Sequence, residues 1–273
     1  MTSNTNLLGN WHETEVGKNI TSKKYFHEGE TFDDFVNRVG SIFENKELGQ
    51  QVAKAIYDAD FLPAGRSLYS AGCKGKFKGS MSNCYIMEPV KDDLESIFET
   101  CGKMARIFAS GGGAGVNISN LRPRGAITRN SARTSTGAVS FMNVFDEVGC
   151  VIGSNNRRAA LIIGLNCDHP DIEEFLDIKK NNTAIQSANI SILFTDEFMK
   201  AVESNSKFEL YFKVEATGEE IRKTIDAREF FWKFCEAQWH HAEPGALFID
   251  TIRKNNYMSG YPEDEYRIDI SNP

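Results

Sequence analysis

The sequence predicts an α/β domain behind a helical N-terminal segment. Two observations carry this. Short strand-like runs alternate with stretches of helical spacing from residue 83 onward, whereas residues 31–57 show only helical spacing. With 41% apolar and 11% aromatic residues over 273 positions, the chain can fill a substantial core. The economical division is a polar arm and helical segment over 1–60, then one α/β domain over 61–273.

Residues 1–30 are polar, contain Gly9, Gly17 and Gly29, and show no period, which predicts a loosely ordered arm. Behind Thr31, a residue able to cap a helix, Phe32, Phe35, Val36, Val39, Ile42 and Phe43 share one helical face. Leu48, Val52, Ala55 and Ile56 predict a second helix. The stretch 62–82 is rich in Gly, Ser and Lys and reads as loop, and 83–87 as a short strand carrying Cys84. Asp92 or Asp93 can cap the next helix, which presents Leu94, Ile97, Phe98, Cys101, Ala105 and Phe108 and stops at Gly111-Gly112-Gly113.

A turn-rich stretch over 117–136 leads to a helix over 137–152 with Val139, Met142, Phe145, Val148 and Ile152 on one face. Residues 159–165 predict a strand. Asp168-His169-Pro170-Asp171 opens a helix with proline near the first turn and acid at the positive end of the dipole. Strand, helix, strand and helix follow over 189–194, 195–203, 208–214 and 227–240, with a last strand over 247–252. In such a domain the loops at the strand ends are expected to carry the chemistry.

Composition excludes several functions. Thirty-one basic against 38 acidic residues leave a net charge of −7, the wrong sign for gripping a phosphodiester backbone. No apolar run approaches a membrane span, and the first residues lack the layout of a secretion signal, which together predict a cytoplasmic protein with no membrane partner. The six cysteines include no C-x-x-C pair, so a structural zinc is not expected, and most of them read as small core residues in a reducing compartment.

Gly111 to Gly115 can let a ligand approach the backbone or can simply be a turn. It is no P-loop, and Val116-Asn117-Ile118 does not open the helix that a dinucleotide fingerprint requires. Arg122, Arg124, Arg129 and Arg133 crowd one loop-rich stretch and Arg157-Arg158 follow a second. They suit either phosphates or surface carboxylates. His169, His240 and His241 read as capping or surface histidines.

Taken together, LPAGRSLYSAG, SNCYIMEPVKDDLESIFE, FASGGGAGVNISNLRPRGA, ARTSTGAVSFMNVFD, NNRRAALIIGLNCDHPDIEEFLDIKK and EPGALFIDTIRKNN resemble the catalytic chain of ribonucleotide reductase, most nearly its adenosylcobalamin-dependent class. The resemblance runs over 61–273 and implies the first half of a ten-stranded α/β barrel. It implies that Cys84 is the first of two reducing cysteines, and that Asn272 hydrogen-bonds the substrate ribose. Ser67, Asn83 and Gly113 match substrate contacts. Asp92, Arg122 and the loop 153–158 with Arg158 match the region where a deoxynucleotide effector selects the base to be reduced. Adenosylcobalamin is the implied cofactor, and the implied partners are a ribonucleotide, a deoxynucleotide effector, an external dithiol and a second copy of the chain. The alternatives are a nucleotide-binding half-barrel without turnover, or half of a class I large subunit.

The same resemblance carries an expectation about the chain's extent. The family's motif continues past Asn272-Pro273 with the radical cysteine and later the second reducing cysteine, so the chain is expected to need the C-terminal half of the same reductase. A split or intein-interrupted gene is the expected cause, with a truncated gene model as the alternative. Residues 1–60 are too few for the family's ATP-binding cone, which predicts specificity control without an overall on/off switch.

Overall fold

Glycines at close crossings and a period-two pleat explain most of the architecture. The computed structural model describes residues 11–73, 80–152, 159–180, 185–258, 260–261 and 266–273. The chain divides into two compact units between Asn83 and Cys84.

The first unit is helical: α1 (Glu15–Lys24), α2 (Phe32–Gly40), α3 (Lys46–Tyr57) and α4 (Gly65–Ser70). Thr31 and Asp34 form a capping box at the start of α2, each satisfying a backbone N–H of the other. Phe35, Val36 and Val39 of α2 meet Ala53 and Ile56 of α3 and Leu68 of α4 in one apolar cluster. A Cβ on Gly40 would overlap the Gly49 carbonyl, so bare backbone is what lets α2 and α3 cross this closely. Residues 15–24 depart from the expected loose arm. Thr14 caps them by accepting from the Gly17 N–H at 3.0 Å, and Thr21 is buried. A helix with so few apolar residues shows no period in sequence.

The second unit is a parallel sheet, built from β1 (Cys84–Ile86), β2 (Gly113–Asn117), β3 (Leu161–Asn166), β4 (Ala188–Phe194) and β7 (Gly245–Phe248) in the order β1-β2-β3-β4-β7. Every neighbouring pair is parallel, so each connection has to cross back over the sheet. Helices α5 (Leu94–Ala109), α6 (Ala138–Val151) and α7 (Ile172–Asp177) make the first three returns. Between β4 and β7 the chain forms α8 (Asp196–Ser204), an antiparallel hairpin of β5 (Lys207–Val214) and β6 (Glu219–Asp226), and α9 (Ala227–His241). A short helix α10 (Ile249–Lys254) follows β7, where one longer strand was expected.

The pleat sorts the sheet into two faces. Ala114, Val116, Leu161, Ile163, Leu165, Ile190, Ile192 and Phe194 face the helices and pack with Met104, Phe108, Met142, Phe145, Phe175 and Phe198. Gly113, Gly115, Ile162, Gly164 and Leu193 alternate with them and lie on the opposite face. There Ile162 and Leu193 cluster with Ile249 and with Ile270, which is wholly buried.

Two strands escape a reading of the sequence. Strand β2 is Gly-Ala-Gly-Val-Asn, poor in strand formers, and reads as the turn ending α5. It is paired on both sides and all five of its residues are buried. Strand β6 alternates only through Ile221 and Ile225, and its register is set by pairing with β5.

Candidate functional site

Cys84 opens β1 and stands in register with Gly113 of β2, which places its side chain on the glycine face of the sheet. Residues 269–273 cross that same face. The Asn117 amide donates to the Asp269 carbonyl at 2.6 Å, and Ile270 fills the space above Gly164, where a Cβ would overlap its Cδ1. A Cβ on Gly115 would overlap the Ser271 carbonyl oxygen, and one on Gly113 would lie 2.8 Å from Pro273 Cγ. Glycine at these three positions is thus what allows the chain's last residues to lie directly on the strands. The path ends at Cys84, whose half-buried thiol donates to the Pro273 carbonyl at 3.7 Å. Asn272, one residue earlier, has an exposed side chain.

The structure therefore gathers Cys84, Gly113 and Asn272 at one place. It sits on the glycine face at the N-terminal ends of β1 and β2, where the irregular segment 271–273 crosses them. Ser67 and Asn83 belong to the first unit. Ser67 is half-buried in α4, where its carbonyl accepts from the Ala71 N–H at 3.0 Å, and Asn83 is exposed immediately before Cys84.

Asp92 and Arg122 form a second assembly. The Asp92 carboxylate accepts from the Arg122 backbone N–H at 3.0 Å and from its Nε at 2.7 Å, while Arg122 Nη1 donates to the Ile127 carbonyl at 2.9 Å. Arg122 is thus a clamp that ties its own loop to the start of α5, whose cap is Asp93 accepting from the Ser96 N–H. Beyond it, residues 125–135 form a small hairpin through the Ile127–Thr134 bridge and the Thr128 N–H to Arg133 carbonyl bond at 2.9 Å. Arg129 and Arg133 are exposed at its tip, and no ion pair engages them among the described residues. Arg124 pairs with Glu174. Arg158 and the loop 153–158 lie outside the described residues.

The motif Asp168-His169-Pro170-Asp171 is more enclosed than its composition suggests, and of the two readings of His169 the capping one fits. His169 is buried, not a surface residue. Its Nε2 donates to the Leu121 carbonyl at 2.9 Å, and its Nδ1 accepts from the Asp171 N–H at 3.0 Å. Burial holds His169 below the ordinary histidine range and pushes the Asp168 carboxyl up. The signal available in sequence was proline between two acids, which marks a constrained turn but not its burial. Cys167 beside it is buried, and desolvation pushes its thiol up to about 12. Among the described residues, no group of three His, Cys, Asp or Glu side chains can hold a metal ion, and no helix is long and apolar enough to cross a membrane.

Against known proteins, residues 82–273 match the model of the ribonucleotide reductase barrel domain. The chain belongs to this family. The chain is 34% identical over 246 residues to a vitamin B12-dependent ribonucleoside-diphosphate reductase of Thermoplasma acidophilum, covering 89% of this chain and 30% of that protein. It is 36% identical over 218 residues to a vitamin B12-dependent ribonucleotide reductase of Streptomyces avermitilis, covering 71% and 22%. Among solved structures, the alpha subunit of a class Id ribonucleotide reductase from Actinobacillus ureae superposes with a TM-score of 0.68 at 17% identity, over 87% of this chain and 40% of that one. That likeness concerns the fold, and it agrees with the parallel sheet described above. The chain spans about a third or less of the length of the curated relatives it matches.

Proposed function

We propose that this chain is the part of a ribonucleotide reductase that supplies one reducing thiol, Cys84, and the specificity-effector region. The observation that carries the reading is the convergence of Cys84, Gly113 and residues 271–273 on one glycine-paved face of the sheet. Residues 271–273 occupy the glycine face itself, so the sugar binds beside that crossing, where the Cys84 thiol and the exposed Asn272 side chain lie. Gly113 lets Pro273, and Asn272 with it, come up beside Cys84, and Asn272 hydrogen-bonds the ribose. The family resemblance also matches Ser67 and Asn83 to substrate contacts.

A ribose 2′-hydroxyl is a poor leaving group and departs as water only once the neighbouring carbon is activated. Two thiols then each give up one electron and one proton. They close to a disulfide as the 2′ carbon gains hydrogen and one water is lost, so atoms and electrons balance. Cys84 is one of these thiols, and the other comes from elsewhere in the reductase. An external dithiol restores the pair, which suits a reducing cytoplasm.

Vitamin B12, in its adenosyl form, enters through the relatives' names. Among the described residues, the surface pockets beside Tyr261 and Tyr266 (about 230 Å³) and on α8 (about 450 Å³) are small for a corrin, and neither is lined by residues of β1 or β2. The described residues do not by themselves enclose this cofactor. Asp92 and Arg122 anchor the effector loop, whose exposed Arg129 and Arg133, with Arg158, offer guanidiniums to a deoxynucleotide's phosphates. The chain acts as a dimer, with α5 and α6 at the contact.

The test is deoxynucleotide formation by the reductase containing this chain, supplied with adenosylcobalamin and a dithiol. Cys84→Ser is expected to abolish multiple turnover. Product formed at the wild-type rate by that variant overturns the reading, and product formed only with a metal-radical small subunit reassigns the chain to class I.

A further inference from the structure

Asp171 is 7% exposed, and its carboxylate grips two backbone sites that are fourteen residues apart. Its oxygens accept from the Arg124 N–H, both at 3.1 Å, and Oδ2 also accepts from the Ala138 N–H at 3.0 Å. These are the two feet of the excursion that carries Arg129 and Arg133. The feet are also drawn together sterically. Gly137 has φ +94°, and a Cβ there would stand 2.7 Å from Asp171 Oδ2 and 2.9 Å from the Arg124 nitrogen.

His169 in turn fixes Asp171. One ring nitrogen accepts from the Asp171 N–H while the other donates to the Leu121 carbonyl, just before the first foot. Both bonds can exist only in the neutral tautomer that carries its proton on Nε2. The Phe212 ring packs edge-on against the imidazole at 5.4 Å. A single buried pair therefore holds the chain on both sides of the arginine hairpin.

We propose that His169 and Asp171 are positioning residues that set the affinity of the arginine hairpin for a deoxynucleoside triphosphate without touching it. The inference rests on the effector reading given above. Two exposed guanidiniums converge on a phosphate only if the hairpin base is fixed. A hairpin freed at its feet has to be ordered by the ligand, and that ordering is taken from the binding free energy. Arg122, clamped to Asp92, holds the first side, and the Gly125 N–H to Ser135 carbonyl bond at 2.9 Å closes the hairpin across its base; Asp171 holds the chain just outside that closure, at Arg124 and Ala138.

The experiment measures binding of dATP and dTTP to the reductase containing this chain by equilibrium dialysis, with Tm recorded for each variant. Asp171→Asn removes acceptor capacity at the base, and Gly137→Ala displaces one foot without removing any polar group. Both are expected to weaken binding about tenfold. Ile192→Val, a core substitution remote from the hairpin, serves as the control for simple destabilisation and is expected to bind as wild type. His169→Ala is expected to weaken binding similarly, and His169→Gln, whose amide nitrogen can still reach the Leu121 carbonyl, to recover most of it. If Asp171→Asn does not fold, the His169 pair decides.

Folded Asp171→Asn and Gly137→Ala proteins that bind both nucleotides as tightly as wild type overturn this inference alone. So does a His169→Gln protein that binds no better than His169→Ala. A wild-type protein that binds neither nucleotide overturns the effector reading and this inference with it.

Discussion

Replacing Gly115 with alanine tests whether bare backbone on β2 is what brings the chain's last residues to Cys84. The added methyl would overlap the Ser271 carbonyl oxygen and stand 3.1 Å from Ile162 Cγ2. The strand cannot retreat, because it is paired with β1 on one side and β3 on the other. The segment 269–273 has to lift instead. Lifting exposes Ile270, wholly buried in the native fold, at roughly 1.5–3 kcal/mol. It also breaks the Asn117–Asp269 hydrogen bond, worth about 1 kcal/mol. The expected loss is roughly 2.5–4 kcal/mol by urea unfolding. The Cys84 thiol loses the Pro273 carbonyl at the same time, so its alkylation in the native state is expected to accelerate. Gly102→Ala on α5 is the contrasting case. No atom lies within 4 Å of its Cβ position, and helix propensity predicts a gain of about 0.5–1 kcal/mol. A Gly115→Ala protein with unchanged urea midpoint and unchanged Cys84 alkylation refutes the reasoning.

Three further outcomes are expected. Asp92→Ala, which strips both bonds from the largely buried Arg122 clamp, costs about 1–3 kcal/mol in urea unfolding, and a change below about 0.5 kcal/mol contradicts the clamp. With iodoacetamide at pH 8, exposed Cys150 is labelled first, whereas Cys167, buried and pushed up to about 12, stays protected until unfolding; equal rates contradict its burial. His169 is held below its ordinary value, so its contribution to stability is fully present above the ordinary histidine range and is lost as pH falls through the lowered folded value. Asp168, pushed the opposite way, is common to wild type and His169→Gln. The stability difference between those two proteins therefore shrinks from pH 7 to pH 5 in urea unfolding, and a difference that stays constant or grows on acidification shows a charged ring in the fold.

Most helices and the large strands were legible because their apolar residues repeat at the period of the element. The helix behind Thr31, the strand at Cys84 and the helices over Leu94–Ala109 and Ala138–Val151 all follow this rule. Strand β2 was not legible, since glycine signals a turn locally and only the strands on either side make it a strand. Strand β6 and helix α1 were hidden for a related reason: one is mostly polar, and the other is anchored by Thr14 and Thr21, not by an apolar stripe. At the site, Cys84, Asp92 and Arg122 could be singled out from the chain's motifs. That Asp92 and Arg122 hold each other, and that Asp171 grips both feet of the hairpin, depends on contacts 30 to 47 residues apart, which no local pattern encodes.

The most direct test concerns the oxidation state of one sulfur. The reductase containing this chain is allowed a single round of ribonucleotide reduction with no external dithiol, then quenched with an alkylating agent, and the Cys84 peptide is weighed by mass spectrometry. The account predicts Cys84 in a disulfide, in proportion to the deoxynucleotide formed. Deoxynucleotide formed while Cys84 is recovered fully alkylated contradicts it.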